Sequence, residues 1–364
     1  MNKNSLSTAV NNYKNNLEQY AHFIAIDWAQ SNVALARMKP KQRETKVIEW
    51  DRSDLKAVKE YLFNLKGKKI LTIEETTSTH WLYVELKDVV DRIVICDPYR
   101  NHLLSSGPKN DKIDSKKLCI LLKGGLLNEV FHTCDKLYDQ RQLLSAYVDL
   151  VKAGTRMQNQ RSAVYRSQGM KYTKHEKQEQ KERIKSKGYA QLITDWQDRT
   201  IDSYFKEKVF FESEIRKVVK GRKEIKNLTQ LPGIAYINAF KISALVVDPH
   251  RFVKKGSYLA YCGLVWLDKI SGNRSYGKRR PRYNRQLKGV YKNAARIAID
   301  GGNNPAYEYY QMLTEKKKLT HKEGTLMVAR YLAKVSLAMM KSGKKYDPYR
   351  WRKDEIKAKP LRTT

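Results

Sequence analysis

The sequence predicts an α/β domain followed by a mainly α-helical remainder, and three observations carry that prediction. Between His22 and Pro98, short apolar runs of strand type alternate with segments whose apolar residues recur at helical spacing. From Asp135 to about Glu224 the strand signal stops, and Leu137, Leu144, Tyr147, Val148 and Val151 keep a helical period. The chain then closes on a long amphipathic run, THKEGTLMVARYLAKVSLAMM.

Taken in order, HFIAIDWA is an apolar strand ending in an acid, and VALARM and KVIEW are two further short strands. DLKAVKEYLFNL has helical spacing, GKKILTIEE is a buried strand, WLYVELKDVV a helix, DRIVICDP a strand, and KNDKIDSKKLCILL a helix. Strands alternating with helices imply a sheet covered by helices. A three-strand meander followed by βα units is the ribonuclease H-like (RuvC-like) arrangement. The expected organisation is therefore a polar, frayed lead over 1–20, the mixed-sheet domain over 21–133, and a long helical, coiled-coil-like segment over 134–226. A mainly helical C-terminal domain follows over 227–345, and a basic tail over 346–364. Within it, LTQLPGIAYINAFKI resembles a helix-hairpin-helix, with Ala235 where a second glycine is usual; a plain helical turn fits it equally.

Charge narrows the function. The 364 residues hold 72 Lys+Arg against 38 Asp+Glu, a net +34, which predicts a polyanionic partner, nucleic acid before an anionic membrane. No stretch reaches the ~18 uncharged apolar residues of a spanning helix. The polar start lacks the apolar core of a signal peptide, so a cytoplasmic protein is expected. Cys96, Cys119, Cys134 and Cys262 are widely spaced and read as reduced thiols. No Walker loop, HExxH or CxxC is present.

Four acids could do chemistry in the first domain. Asp27 closes the first strand and Glu74 the fourth, while Asp111 and Asp114, three apart, share one helix face. In the expected sheet the first and fourth strands are neighbours, which brings Asp27 beside Glu74. Four carboxylates at one sheet edge call for cations, and two Mg²⁺, with Mn²⁺ as the substitute, would resolve their repulsion and create a phosphoryl-transfer centre. Each acid alone also has an ordinary explanation: Asp27 as a turn residue, Asp111 as a helix cap, and Glu75 as the inward residue in place of Glu74. Asp97 is a fifth acid, in an Asp-Pro pair that marks a strand turning away.

The segments FIAIDWAQSNVALARM, IEETTSTHWLYVEL and KNDKIDSKKLCILLK resemble the N-terminal half of the DEDD transposases of the insertion-sequence 110 and 1111 type, which include the bridge-RNA-guided recombinases. The middle run LVKAGTRMQNQRSAVYRSQG and the ending resemble that family too, so the likeness spans roughly residues 22–350. It implies that Asp27, Glu74, Asp111 and Asp114 form the metal-binding tetrad. It also implies a dimer or tetramer acting on donor and target double-stranded DNA, guided by a structured non-coding RNA, with the tetrad from one subunit and a serine from another. Glu75 and Thr77 depart from the small residues usual there.

From Lys269 to Arg296 there are ten Lys/Arg and no acid, with Tyr276, Tyr283 and Tyr291 interleaved. Lys269, Arg274, Lys278, Arg279, Arg280, Arg282 and Arg285 are the expected phosphate contacts, and the tyrosines the expected stacking or packing groups. Ser271-Gly272 fits a loop ahead of this basic segment, and most Ser-Gly pairs are only turns. A serine needs a base or nearby positive charge to become nucleophilic, and Lys269, Arg274 and Arg279 could supply the charge. The resemblance makes Ser271, after Gly263-Leu264, the covalent nucleophile; Ser275 and Ser257 are substitutes, and Tyr276 would serve a tyrosine mechanism. A glycine-rich stretch of the family is replaced here by RRPRYNRQLKG. Three other readings remain: a structure-selective nuclease using the acids with water, a protein-only site-specific DNA invertase of the same family, and a non-enzymatic RNA- or DNA-binding factor whose acids are structural.

Overall fold

In the computed structural model the described residues are 13–98, 110–133, 137–170, 182–184, 188–272 and 274–349. Residues 1–12 of the expected lead, 350–364 of the expected tail and Cys134 lie outside them. The chain divides into two units, Met1–Tyr138 and Asp139–Thr364.

In the first unit, β1 (His22–Trp28), β2 (Val33–Met38), β3 (Lys46–Trp50), β4 (Lys69–Glu74) and β5 (Arg92–Cys96) form one sheet in the order β3-β2-β1-β4-β5. The β1–β2 and β2–β3 pairs are antiparallel, whereas β1–β4 and β4–β5 are parallel. Parallel neighbours need crossovers, and α1 (Leu55–Asn64) and α2 (Thr79–Leu86) provide them. A third helix, α3 (Asp111–Lys123), packs over β1 and β2.

Period-two alternation separates two cores. Ile24, Ile26, Leu71 and Ile73 bury one face with Val58 and Leu62 of α1 and Leu82 and Leu86 of α2. Phe23, Ala25 and Ile70 bury the other with Leu118, Cys119 and Leu122 of α3. Cys96, Cys119 and Cys262 are buried free thiols. Residues 13–20 depart from the frayed lead expected of their polarity: Tyr13 and Tyr20 are buried in the α3-side core, and Tyr13 Oη donates to Leu127 O at 3.0 Å. Two aromatic side chains outweigh the polar residues between them.

In the second unit, α4 (Leu137–Ser167) and α5 (Tyr189–Gly221) run antiparallel. Tyr147 Oη donates to Glu212 Oε1 at 2.8 Å, Arg161 pairs with Asp198, and Gly154 lies flat on Tyr204, whose ring would stand 2.4 Å from any Cβ there. The two long helices cluster with the C-terminal segment in one unit. That segment runs α6 (Lys223–Leu228), α7 (Tyr236–Val246), α8 (Lys255–Tyr261), β6 (Leu267–Ser271), β7 (Arg274–Arg279), α9 (Arg285–Asp300), α10 (Pro305–Gln311) and α11 (His321–Ser342). Its core joins Phe240, Tyr258, Tyr291, Ala294, Leu332 and Ala333.

Two helices, α6 and α7, flank the Pro-Gly turn. Gly233 has φ +74° and sits against the backbone of α9, where a Cβ would come 2.2 Å from Ala294 O. This glycine serves helix packing. The start of α11 carries a full capping box between Thr320 and Glu323.

The basic stretch does not begin as a loop. β6 and β7 pair as a two-stranded antiparallel ribbon, and every residue of both strands is exposed. Gly272, at φ +53°, occupies its turn, a conformation glycine adopts without Cβ strain.

Candidate active site and nucleic-acid interface

The acids gather through strand alternation. Asp27 follows Phe23 and Ala25 on the α3 face of β1, and Glu74 follows Ile70 and Thr72 on the same face of β4. Because Ile26 lies beside Ile73 in the parallel register, Asp27 and Glu74 end adjacent strands at the same level. The first turn of α3, which covers this face, carries Asp111 and Asp114. Asn110 caps that helix by accepting from Lys112 N at 2.9 Å, leaving the Asp111 carboxylate for another donor. Asn32, in the β1–β2 turn, supplies it: its Nδ2 donates to Asp111 Oδ2 at 2.8 Å.

The other three acids act on Asp27. The Asp27 carboxyl is pushed up to about 6, first by burial and then by the negative charges of Asp111, Glu74 and Asp114. Glu75 is exposed, whereas Glu74 is half-buried. Asp97 is buried just beyond β5, its amide donating to Asn128 O at 3.1 Å. Among the described residues, no three acidic, histidine or cysteine side chains form a ready-made metal-ligating group. The donor set is nonetheless oxygen-only. Mg²⁺ is commonly held by one or two carboxylates, with waters and substrate phosphates filling the rest. Acids at a strand-end edge fit that manner of binding.

Ser271 ends β6, opposite Arg274. Lys269 lies two residues before Ser271 on β6, and a register shift between Asp268 and Ile270 interrupts the pairing there, with Tyr276 next to it on β7. Asp268, Lys269, Ile270, Ser271, Tyr276 and Arg279 line a single concavity, with one acid among its cations. Ser275 pairs with Ile270 on the opposite face, and Ser257 lies in the first turn of α8. No described side chain hydrogen-bonds Ser271 Oγ, so local positive charge is the means of activation on hand.

The basic residues singled out by the sequence divide among two strands, a loop and a helix. Lys269 is on β6, Arg274, Lys278 and Arg279 on β7, Arg280 and Arg282 in the following loop, and Arg285 at the start of α9; all are exposed. The interleaved tyrosines do not form one set. Tyr276 is 66% exposed and available for stacking. Tyr291 is fully buried: its hydroxyl shares hydrogen bonds of 2.6 Å with Tyr258 and Ser336, which removes it from any nucleic-acid surface. Tyr283 packs on Gly263, and its phenol is lowered by hydrogen bonds with Lys288 and Arg280.

Sequence reading missed three features. The ribbon had a signal in Gly272-Asn273, a two-residue hairpin turn pair. Trp266, at the ribbon's base, carries Arg280 over its ring at 4.4 Å. Asn32 had no signal, being 79 residues from its partner.

Residues 225–311 match the model of the transposase IS116/IS110/IS902 family. A 64-residue stretch is 31% identical to the transposase for insertion sequence element IS1111A of Coxiella burnetii (strain RSA 493 / Nine Mile phase I). It covers 18% of this chain and 18% of that relative, so the likeness is to one segment of each. The family match takes in the helix pair around Gly233, the Ser271 ribbon and α9.

Proposed function

We propose that this chain, whose residues 225–311 are a transposase domain of the IS116/IS110/IS902 family, cuts and rejoins DNA strands with Ser271 as nucleophile. One observation carries the reading: within the matched domain, Ser271 stands beside the turn of an exposed basic ribbon, opposite Arg274 and two residues after Lys269. In the first step Ser271 Oγ bonds to a backbone phosphorus, the bond from phosphorus to the leaving DNA oxygen breaks, and that oxygen takes up a proton. In the second, a DNA hydroxyl attacks the phosphoserine and Oγ departs with its proton restored. The phosphoester bond count is conserved, so no nucleoside triphosphate is consumed. Lys269 and Arg274 stabilise the serine alkoxide and the charge that builds on phosphorus.

Asp27, Glu74, Asp111 and Asp114 are read as a ribonuclease H-like (RuvC-like) acidic site that would hold Mg²⁺, or Mn²⁺ in its place. A bound divalent ion supplies Lewis acidity to a phosphate oxygen. The chain's own task is to present ionised carboxylates, which for Asp27 means losing a proton held to about pH 6. Assembly as a dimer or tetramer and guidance by a structured non-coding RNA complete the proposal; the net charge of +34 supports a demand for more polyanion than one duplex.

The test is strand cleavage and joining on DNA carrying candidate element ends, with copurified RNA and Mg²⁺. Ser271→Ala and Asp27→Ala should each abolish joining. Cleavage by Ser271→Ala at an unchanged rate would replace this reading with a hydrolytic nuclease. Full activity of protein free of any discrete RNA would leave a protein-only invertase.

A further inference from the structure

At the base of the ribbon, on the side of α9 and the first turn of α11, lies a concavity of about 380 Å³. Trp266 and Arg280 form one wall, Lys288, Lys292 and Arg296 the second, and Lys322 the third. The three cations of α9 are four residues apart, so they stand in a row along one helix face at steps of about 6 Å. One acid, Asp300, lines the concavity with them; among the described residues none of Lys288, Lys292, Arg296 or Lys322 makes an ion pair. Lys292, Arg296 and Lys322 are exposed, and Trp266 is 48% exposed although its indole is large and apolar.

We propose that this groove is a binding site for an unpaired nucleic-acid strand, separate from the phosphate contacts of the ribbon. Single-strand sites combine a positive groove that follows the backbone with an aromatic or guanidinium plane on which a base stacks. Here the row on α9 follows the backbone, and the Trp266–Arg280 pair is the stacking platform. A volume of about 380 Å³ lies within the about 300–1,000 Å³ of small-molecule pockets, the scale of a splayed nucleotide. Five cations, Arg280, Lys288, Lys292, Arg296 and Lys322, against the one acid Asp300 leave the concave site net positive, which concentrates field, so an anion is the expected occupant. The ribbon rises about 3.3 Å per residue, which sets the groove within a few nucleotides' reach of its turn. The proposal concerns binding alone and stands whether or not Ser271 is a nucleophile.

The experiment measures fluorescence anisotropy of the full chain with labelled DNA and RNA oligonucleotides of about ten residues, within the usual single-strand site size, and with a duplex of equal length. Trp266→Ala should weaken single-strand binding about fivefold or more while duplex binding changes less than about twofold. The double variant Lys292→Gln/Arg296→Gln should flatten the salt dependence for single strands by about 1.4 in log–log slope. Trp266→Phe, which keeps a stacking face, should restore most of the affinity and controls for folding. Equal losses on single strand and duplex, or no loss on either, would overturn the proposal. A preference between the DNA and RNA oligonucleotides identifies which strand the groove serves, and both support it.

Discussion

Asn32 Nδ2 donates to Asp111 Oδ2 at 2.8 Å, tying the β1–β2 turn to the first turn of α3. This bond joins the turn that follows Asp27 and Trp28 at the end of β1 to the helix that brings two further acids to Asp27. Asn32→Ala should cost about 1 kcal/mol in urea unfolding, the usual worth of a partly buried hydrogen bond. Asn32→Asp should cost more, because it adds an acid to four that already repel. Added Mg²⁺ should narrow the gap between the two variants.

The raised Asp27 carboxyl predicts how stability changes with pH. With the folded value at about 6 and the unfolded value near 3.8, the native state binds more protons between those limits. Stability contributed by this group therefore falls as pH rises from about 4 to 6, and the penalty is complete above 6. Asp27→Asn should then stabilise the metal-free protein at pH 7.5 by about 1–2 kcal/mol, allowing for solvent screening, and leave it unchanged near pH 3.5. Thermal melts across that range check the sign. Joining activity should be lost in the same variant.

Divalent ion should relieve the same repulsion. Mg²⁺ at about ten times its Kd is expected to raise unfolding free energy by about 1.4 kcal/mol, and excess chelator to remove the gain. Asp27→Ala and Asp114→Ala should each abolish the increment in a Mg²⁺ titration followed by thermal melting.

Two glycines separate packing from propensity. Gly233→Ala places a Cβ 2.2 Å from Ala294 O at φ +74°, and should cost about 3 kcal/mol. Gly289, in the middle of α9 with open space around it, should gain about 1 kcal/mol on replacement by Ala. Denaturant midpoints of the two variants, moving in opposite directions, check both.

The sheet was legible because its residues are locally consistent. HFIAIDW, KILTIE and RIVIC are apolar runs of strand length, and the helices between them repeat at helical spacing. The convergence of Asp27 with Glu74 followed from strand order, since alternation puts both on one face. The ribbon was hidden by its own charge: Arg274, Lys278 and Arg279 gave no apolar alternation, and only Gly272-Asn273 marked the turn. Tyr291 misled for the opposite reason. It sits among cations in the sequence, yet the helical period of α9 turns it inward with Leu287, Ala294 and Ala298. The docking of Tyr13 and Tyr20, and the Asn32–Asp111 bond, depend on contacts distant in sequence, which no local pattern encodes.

The most direct test of the account is mass spectrometry of the protein trapped with DNA carrying element ends, copurified RNA and Mg²⁺. The predicted result is a nucleotide adduct on Ser271, absent in Ser271→Ala and retained in Ser275→Ala, whose hydroxyl lies on the ribbon's other face. An adduct on Tyr276 or any other residue, or joined DNA from Ser271→Ala at the wild-type rate, would contradict it.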